Sequence, residues 1–302
     1  MNNYYSNGKL LISGEYLVMD GALALAVPVK YGQGLKIEES SAAKIFWQTN
    51  VIGELWFKAE FDNHFNIKTS SNFEIANYLS KLLLAAQRLN PEFVGDFGYN
   101  VLTEIDFDIN WGLGSSSTLI SNVAGWAGVD PFQLFWLVAN GSGYDIACAQ
   151  SEKPIMYELN AGRSVYRNVD FLPEFREHIY FAYLGQKQDS EKSILKFKQK
   201  AEFSEIDIHS ISEISKAFID TDNITEFGKL MLEHERIIGN ILDKTPVKKT
   251  LFNNFEGEIK SLGAWGGDFI MIASKLPIEN IKNYFSGKGI NILFSFDEIV
   301  LS

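Results

Sequence analysis

Between an alternating stretch, Tyr99 to Ile109, and a run of small and apolar residues, Thr118 to Gly128, the chain carries Trp111-Gly112-Leu113-Gly114-Ser115-Ser116-Ser117. The alternation predicts a strand and the small apolar run predicts a tightly packed helix, so a glycine-serine loop joins a strand end to a helix start. Glycines let backbone amides approach an anion, the helix start adds positive partial charge, and serine hydroxyls can donate to phosphate or ligate magnesium. No lysine follows the glycines, so the loop is not of the Walker A type. The same residues read equally well as an ordinary strand-to-helix turn with serine at the N-cap.

Around this loop the chain divides by character. Leu10 to Ile12 and Leu23 to Val29 are short apolar runs separated by the turn formers Met19-Asp20-Gly21, with Pro28 marking an edge or strand end. Leu35 to Ile37, Ala43 to Gln48 and Glu54 to Ala59 continue in the same vein, which predicts a mostly antiparallel meander. Ser71 can cap a helix over Phe73 to Leu89 that Asn90-Pro91 stops. Pro131 to Ala139 suits a helix with proline in its first turn, Ile146 to Gln150 a short one, and Ile155 to Leu159, Ser164 to Asn168 and Ile179 to Leu184 suit strands. Helical periodicity then dominates Glu191 to Phe203, Ile208 to Phe218, Ile224 to Leu242 and Val247 to Leu262. Strands at Phe269 to Ala273 and Ile290 to Phe294 bracket a last helix, Ile278 to Tyr284. A chain of 302 residues has room for two domains. The change from strand-rich to helix-rich sequence, between Asn160 and Pro173, places them at 1–165 and 166–302, with an α+β composition.

Charge restricts the partners. Lys plus Arg number 27 against 38 Asp plus Glu, a net charge of −11, which argues against a nucleic-acid or anionic-membrane binder while leaving room for a small anionic substrate in a locally basic pocket. The single cysteine, Cys148, permits neither an intrachain disulfide nor a cysteine metal cluster, and points to a reducing, cytoplasmic location. His64, His178, His209 and His234 form no zinc-ligating pair. No apolar window has the length of a membrane span, and no signal-peptide pattern opens the chain.

Three further places could carry chemistry. Gly141-Ser142-Gly143-Tyr144-Asp145 sets one acid in apolar sequence, where a partly desolvated carboxylate could take a hydroxyl proton, or could simply cap the following helix. Gly8-Lys9 opens the first strand, with Ser13-Gly14-Glu15-Tyr16 after it; a lysine so placed is also a common solvated edge charge. Gly263-Ala264-Trp265-Gly266-Gly267-Asp268 joins a helix to a strand, and its glycines suit a tight turn or a close approach to a ligand.

In their joint order these segments resemble the motifs of the GHMP small-molecule kinases, the superfamily of galactokinase, homoserine kinase, mevalonate kinase and phosphomevalonate kinase. The likeness runs from Lys9 to Ala273. Gly143-Tyr144-Asp145-Ile146-Ala147 resembles the string that marks one branch, and the loop, without preceding prolines, looks closer to phosphomevalonate kinase than to mevalonate kinase. The resemblance implies an N-terminal ribosomal-protein-S5-like domain and a C-terminal ferredoxin-like domain, with ATP and the acceptor meeting between them. It implies that Gly112, Leu113, Gly114, Ser115, Ser116 and Ser117 hold the ATP phosphates and that Ser116 contacts Mg2+. Asp145 would be catalytic, Lys9 would keep it ionised and offset phosphoryl charge, and Glu15, Gly263, Gly266 and Gly267 would form the cleft turn and acceptor side.

The reaction implied is transfer of the ATP γ-phosphoryl group to 5-phosphomevalonate or mevalonate, an anionic or hydroxyl acceptor. Another acceptor such as homoserine or a sugar, a decarboxylase, and a catalytically silent ligand-binding member are the alternatives. Two departures from the family pattern stand out: Pro131 to Ala139 contains no acid where a magnesium-binding glutamate is usual, leaving Asp130 nearest, and Trp265 replaces a glycine. Arg163, Arg167, Lys187 and Lys192 are the candidate cations for an acceptor phosphate. The sequence leaves the oligomeric state open.

Overall fold

The computed structural model describes residues 2–95, 97–185, 193, 197, 199, 202–265 and 268–302. The chain forms two compact units, each discontinuous in sequence. The first comprises Met1–Gly8, Tyr31–Ile109 and Leu113–Gln150, and the second Lys9–Lys30, Asn110–Gly112 and Ser151–Ser302. Two strands, β1 (Asn2–Ser13) and β2 (Ala24–Ser40), pass from one unit to the other.

In the first unit follow β3 (Lys44–Val51), β4 (Glu54–Asp62), β5 (Ile67–Ser70), α1 (Phe73–Leu89), β6 (Gly98–Ile105), α2 (Ser115–Ala127), α3 (Pro131–Val138) and α4 (Tyr144–Ala149). The strand order is β5-β4-β3-β6-β2. The sheet is not a simple meander: β6 inserts between β2 and β3 and runs parallel to β3, with Ile45 opposite Tyr99. A parallel pair needs a long crossover, and β4, β5 and α1 supply it. Period-two burial along β3 turns Ile45, Trp47 and Thr49 inward. Ile45 and Trp47 pack with Phe57 and Phe61 of β4 against Leu79, Leu82 and Leu83 of α1 and Ile120 and Val123 of α2. Asn72 rather than Ser71 caps α1, its side chain accepting from the N–H groups of Glu74 at 3.0 Å and Ile75 at 3.3 Å. α2 begins three residues earlier than the apolar pattern predicts, so the loop serines are its first turn.

The second unit adds β7 (Ile155–Asn160), β8 (Arg163–Asn168), β9 (Ile179–Tyr183), α5 (Glu205–Asp220), α6 (Ile224–Leu242), α7 (Val247–Leu251), β10 (Glu258–Ser261), β11 (Phe269–Ala273), α8 (Ile278–Ser286), β12 (Leu293–Ser295) and α9 (Phe296–Ile299). Its antiparallel sheet has the order β10-β11-β9-β12. One face packs Tyr180, Ile259, Ile270 and Ile272 against Phe252, Ile281 and Phe285, and α6 packs on β10 and β11. Ala24 to Ala26 of β2 pair with β7, whereas β6 pairs only from Gln33 onward. Pro28 therefore lies inside β2, in the gap between those two partners, where its missing N–H breaks neither ladder.

The single helix expected over Val247 to Leu262 is replaced by α7, a loop and β10. Gly257 has φ 138, and a Cβ there would fall 2.5 Å from the Ala273 carbonyl oxygen, so the chain turns at Gly257 and the next residues pair with β11 instead of continuing a helix. The helix expected over Glu191 to Phe203 lies largely outside the described residues. Among the described residues no helix is long and apolar enough to cross a membrane.

Candidate active site

In the first unit the site candidates gather at the starts of α2 and α4, which pack together. Gly114 precedes α2 with φ 93, a conformation that favours glycine. Among the described residues no side chain caps the first turn of α2, so its N–H groups are the orphan donors of a helix start, suited to an anion. Ser117 Oγ donates back to the Gly114 carbonyl at 2.8 Å, and Ser116 Oγ lies 2.8 Å from Tyr78 OH. Leu113 is buried in the core, so only its backbone can face a ligand. A buried neutral network fixes the turn. Thr118 Oγ1 donates to Gln33 Oε1 at 2.7 Å, Asn122 Nδ2 to the Gln33 carbonyl at 2.8 Å, and Ser6 Oγ to Asn122 Oδ1 at 2.9 Å.

Gly143, at φ 88, precedes α4 without a side-chain cap bond, and Asp145 Oδ1 accepts from the N–H of Ile146 at 3.1 Å. The carboxylate is half-buried at the edge of the buried stretch Ile146 to Ala149. Asp130, the nearest acid to the family's magnesium position, is the N-cap of α3 and accepts from Gln133 N–H at 2.8 Å.

In the second unit three sequence motifs meet. Lys9 Nζ donates to the Gly112 carbonyl at 3.0 Å. Gly112 has φ 71, a conformation strained for any residue with a side chain, and a Cβ there would fall 2.9 Å from Asp268 Cγ. The segment is anchored by Tyr183 OH donating to the Asn110 carbonyl at 2.9 Å and by Trp111 packing edge-on against Phe294 with ring centroids 5.4 Å apart. Gly263 turns with φ 65, while Gly266 and Gly267 lie outside the described residues. Trp265 packs in the interior, 4% exposed, with its ring beside Gly239 of α6.

Glu15 is buried between Lys260 and His234. Its Oε1 accepts a short hydrogen bond from Lys260 Nζ, its Oε2 lies 2.9 Å from His234 Nε2, and no side chain of the three exceeds 1% exposure. Burial pushes the Glu15 carboxyl up, but Lys260 and His234 together outweigh it and hold the group below the usual carboxylate range. Burial, then the Lys260 charge, push His234 down against the pull of Glu15, which keeps the imidazole neutral. The same Nε2 accepts from the Gly14 N–H at 3.2 Å, so the ring meets both the Glu15 carboxylate and the backbone of its segment. Lys260 Nζ also donates to the Ser261 carbonyl at 2.8 Å, and Ser261 N–H donates to Glu235 Oε1 at 2.9 Å. Burial raises the Glu235 carboxyl to about 7.

Lys260, His234 and Asp268 received no role from the sequence. Asp268 was within reach as the last residue of its motif, whereas His234 and Lys260 lie in stretches that read only as amphipathic helix. Of the candidate phosphate-binding cations, Arg163 and Arg167 are exposed on β8, and Lys187 and Lys192 lie outside the described residues.

No protein-family model matches the chain, and no curated protein matches it in sequence. Solved structures do match its fold. Mevalonate kinase from Methanococcus jannaschii superposes with a TM-score of 0.74 at 17% identity, covering 100% of this chain and 98% of that one. Streptococcus pneumoniae phosphomevalonate kinase, in complex with phosphomevalonate and AMPPNP, gives 0.73 at 16% identity over 98% and 100% of the two chains. Lactococcus lactis galactokinase complexed with galactose gives 0.70 at 13% identity over 99% and 93%. The chain thus has the α+β, two-domain fold of the GHMP kinases, and the likeness stated from the motifs extends to the whole backbone.

Proposed function

We propose that the chain is an ATP-dependent kinase of a small mevalonate-route acceptor, 5-phosphomevalonate ahead of mevalonate. The observation that carries this reading is the start of α2, glycine-opened and uncapped, on a fold whose solved neighbours named above are kinases. In the reading, the N–H groups of Gly114 to Ser117 hold the ATP phosphates, and Lys9 offsets charge on the transferring group. Ser116 Oγ is a hard oxygen donor of the kind Mg2+ takes alongside phosphate oxygens, so it suits the ion and would hold it. When bound, the ion neutralises charge that develops on the phosphates.

Asp145 has a role that depends on the acceptor. With a hydroxyl acceptor its carboxylate takes the proton released as the oxygen bonds to phosphorus. With a phosphate acceptor, already largely deprotonated, it acts through charge and position. A sugar acceptor is the second reading, favoured by the galactose-bound neighbour.

The test is coupled ADP release with Mg-ATP against mevalonate, 5-phosphomevalonate, 5-diphosphomevalonate, homoserine and galactose. Turnover of 5-phosphomevalonate that falls about 10²-fold in Asp145→Asn, the loss expected of a positioning group, supports the proposal. Turnover of galactose alone supports the second reading, and silence on every acceptor overturns both.

A further inference from the structure

Tyr16 has φ 63 and ψ −53, and Leu17 N–H donates to the Glu15 carbonyl, two residues back, at 2.7 Å. That is a γ-turn of the positive-φ kind, which is rare and strained for a residue with a side chain. Glycine would relieve the strain, yet the position holds a tyrosine. Its ring stacks on Phe197 with centroids 5.1 Å apart, and its hydroxyl accepts from Trp265 N–H at 3.2 Å. Such a conformation persists only where its surroundings over-determine it.

We propose that Lys260 and His234 are positioning residues: by fixing Glu15 they hold the strained turn at Tyr16 and lock it to the Ser261–Trp265 turn as one rigid element. For its effect on turnover the inference rests on the kinase reading; its mechanical part does not. Two links join the segments, Lys260 to Glu15 and Trp265 N–H to Tyr16 OH. A third set fixes them to α6: His234 meets Glu15, Glu235 accepts from Ser261 N–H, and the Trp265 ring lies against Gly239, where a Cβ would fall 3.3 Å from it. Stability does not explain the choice of residues, because apolar side chains of similar volume usually replace a buried ion pair without loss. Placement does. Lys260 and Ser261 of β10 pair with Met271 and Ile270 of β11, which starts next to Asp268, and the Asp268 carboxylate sits against Gly112, the residue that Lys9 grips. A shift at the clamp therefore moves Asp268 relative to Gly112 and Lys9.

The test uses the full chain and two readouts, hydrogen exchange of peptides covering 14–18 and 261–265, and kcat with the acceptor found above. Lys260→Met leaves the Glu15 carboxylate buried with one partner, and exchange rises at least about tenfold in both segments together. Should that variant not fold, Glu15→Gln/Lys260→Met removes the stranded charge. It recovers the wild-type melting temperature, but both segments still exchange faster and kcat falls about tenfold or more. His234→Gln, which keeps a polar group between Glu15 and the Gly14 N–H, retains wild-type exchange, whereas His234→Leu does not. Faster exchange confined to 261–265, or wild-type kcat in the double variant, overturns the proposal. If the wild-type chain turns over no acceptor, the kinase reading fails and exchange alone decides the clamp.

Discussion

In each unit a buried polar network backs a glycine-bearing segment, and the two networks are made of different chemistry. In the first, Ser6, Asn122, Gln33 and Thr118 are all uncharged and bonded in a chain at 2.7 to 2.9 Å. In the second, Glu15, His234, Lys260 and Glu235 are all ionisable and at most 1% exposed. Neutral groups trade water for protein partners at nearly constant cost, so the first network fixes α2 whatever the pH. Ionisable groups in a low-dielectric interior depend on one another's charge, so the second ties geometry to protonation.

The largest effect separates the two. Lys260→Met strands a buried carboxylate and lowers the unfolding free energy by about 3–5 kcal/mol, read as a shift in the urea midpoint. Thr118→Val deprives buried Gln33 of one donor and costs about 1–3 kcal/mol. Equal losses would break the comparison.

Next in size is the pH dependence. Glu235 has its folded pKa raised from 4.5 to about 7. The folded state therefore binds the extra proton, and stability from this group declines as pH rises from 4.5 to 7, by at most about 3 kcal/mol. His234 works in the opposite sense. Its folded pKa is lowered from 6.5, so below that pH the unfolded state binds the extra proton and stability rises with pH. Glu15, with its folded pKa lowered from 4.5, loses its contribution only in more acid solution. Between 4.5 and 6.5 the Glu235 and His234 slopes oppose each other. Urea titrations across pH 5 to 7.5 should show stability rising more steeply with pH in Glu235→Gln, falling in His234→Gln, and shifted uniformly in Thr118→Val. A pH-dependent shift in Thr118→Val would show that the neutral network is not independent of charge.

Gly112→Ala comes third. The position has φ 71, and the new methyl would meet the Asp268 carboxyl carbon at 2.9 Å, so the loss is about 1–3 kcal/mol, read as a shift in the urea midpoint. An unchanged midpoint would show that the Asp268 side chain yields to the methyl at no cost.

The contrast between the networks also separates what sequence can and cannot convey. α1 over Phe73–Leu89 follows from apolar spacing, and β6 from alternation. The loop serines announce themselves because glycine, serine and a helix start are neighbours in the chain. Lys260 and Glu15 lie 245 residues apart, and neither carries a local mark of its partner. Lys260 is further disguised because Val247, Leu251, Phe255, Ile259 and Leu262 have helical spacing, and that pattern hides the turn at Gly257. The insertion of β6 between β2 and β3 is equally silent, since strand composition records burial and not neighbours.

The smallest effect tests the exposed edge of the neutral side. Ser116 Oγ and Tyr78 OH share one hydrogen bond at 2.8 Å in contact with solvent, where such a bond adds about 0.5–1 kcal/mol or less. Tyr78→Phe should leave the melting temperature within about 2 °C of wild type while freeing the Ser116 hydroxyl to rotate. If Ser116 meets the nucleotide phosphates or their ion, that freedom changes the KM for ATP by about two- to fivefold and leaves the KM for the acceptor unchanged. A shift confined to the acceptor would place Ser116 on the other substrate, and the anion site would then rest on the backbone of α2 alone.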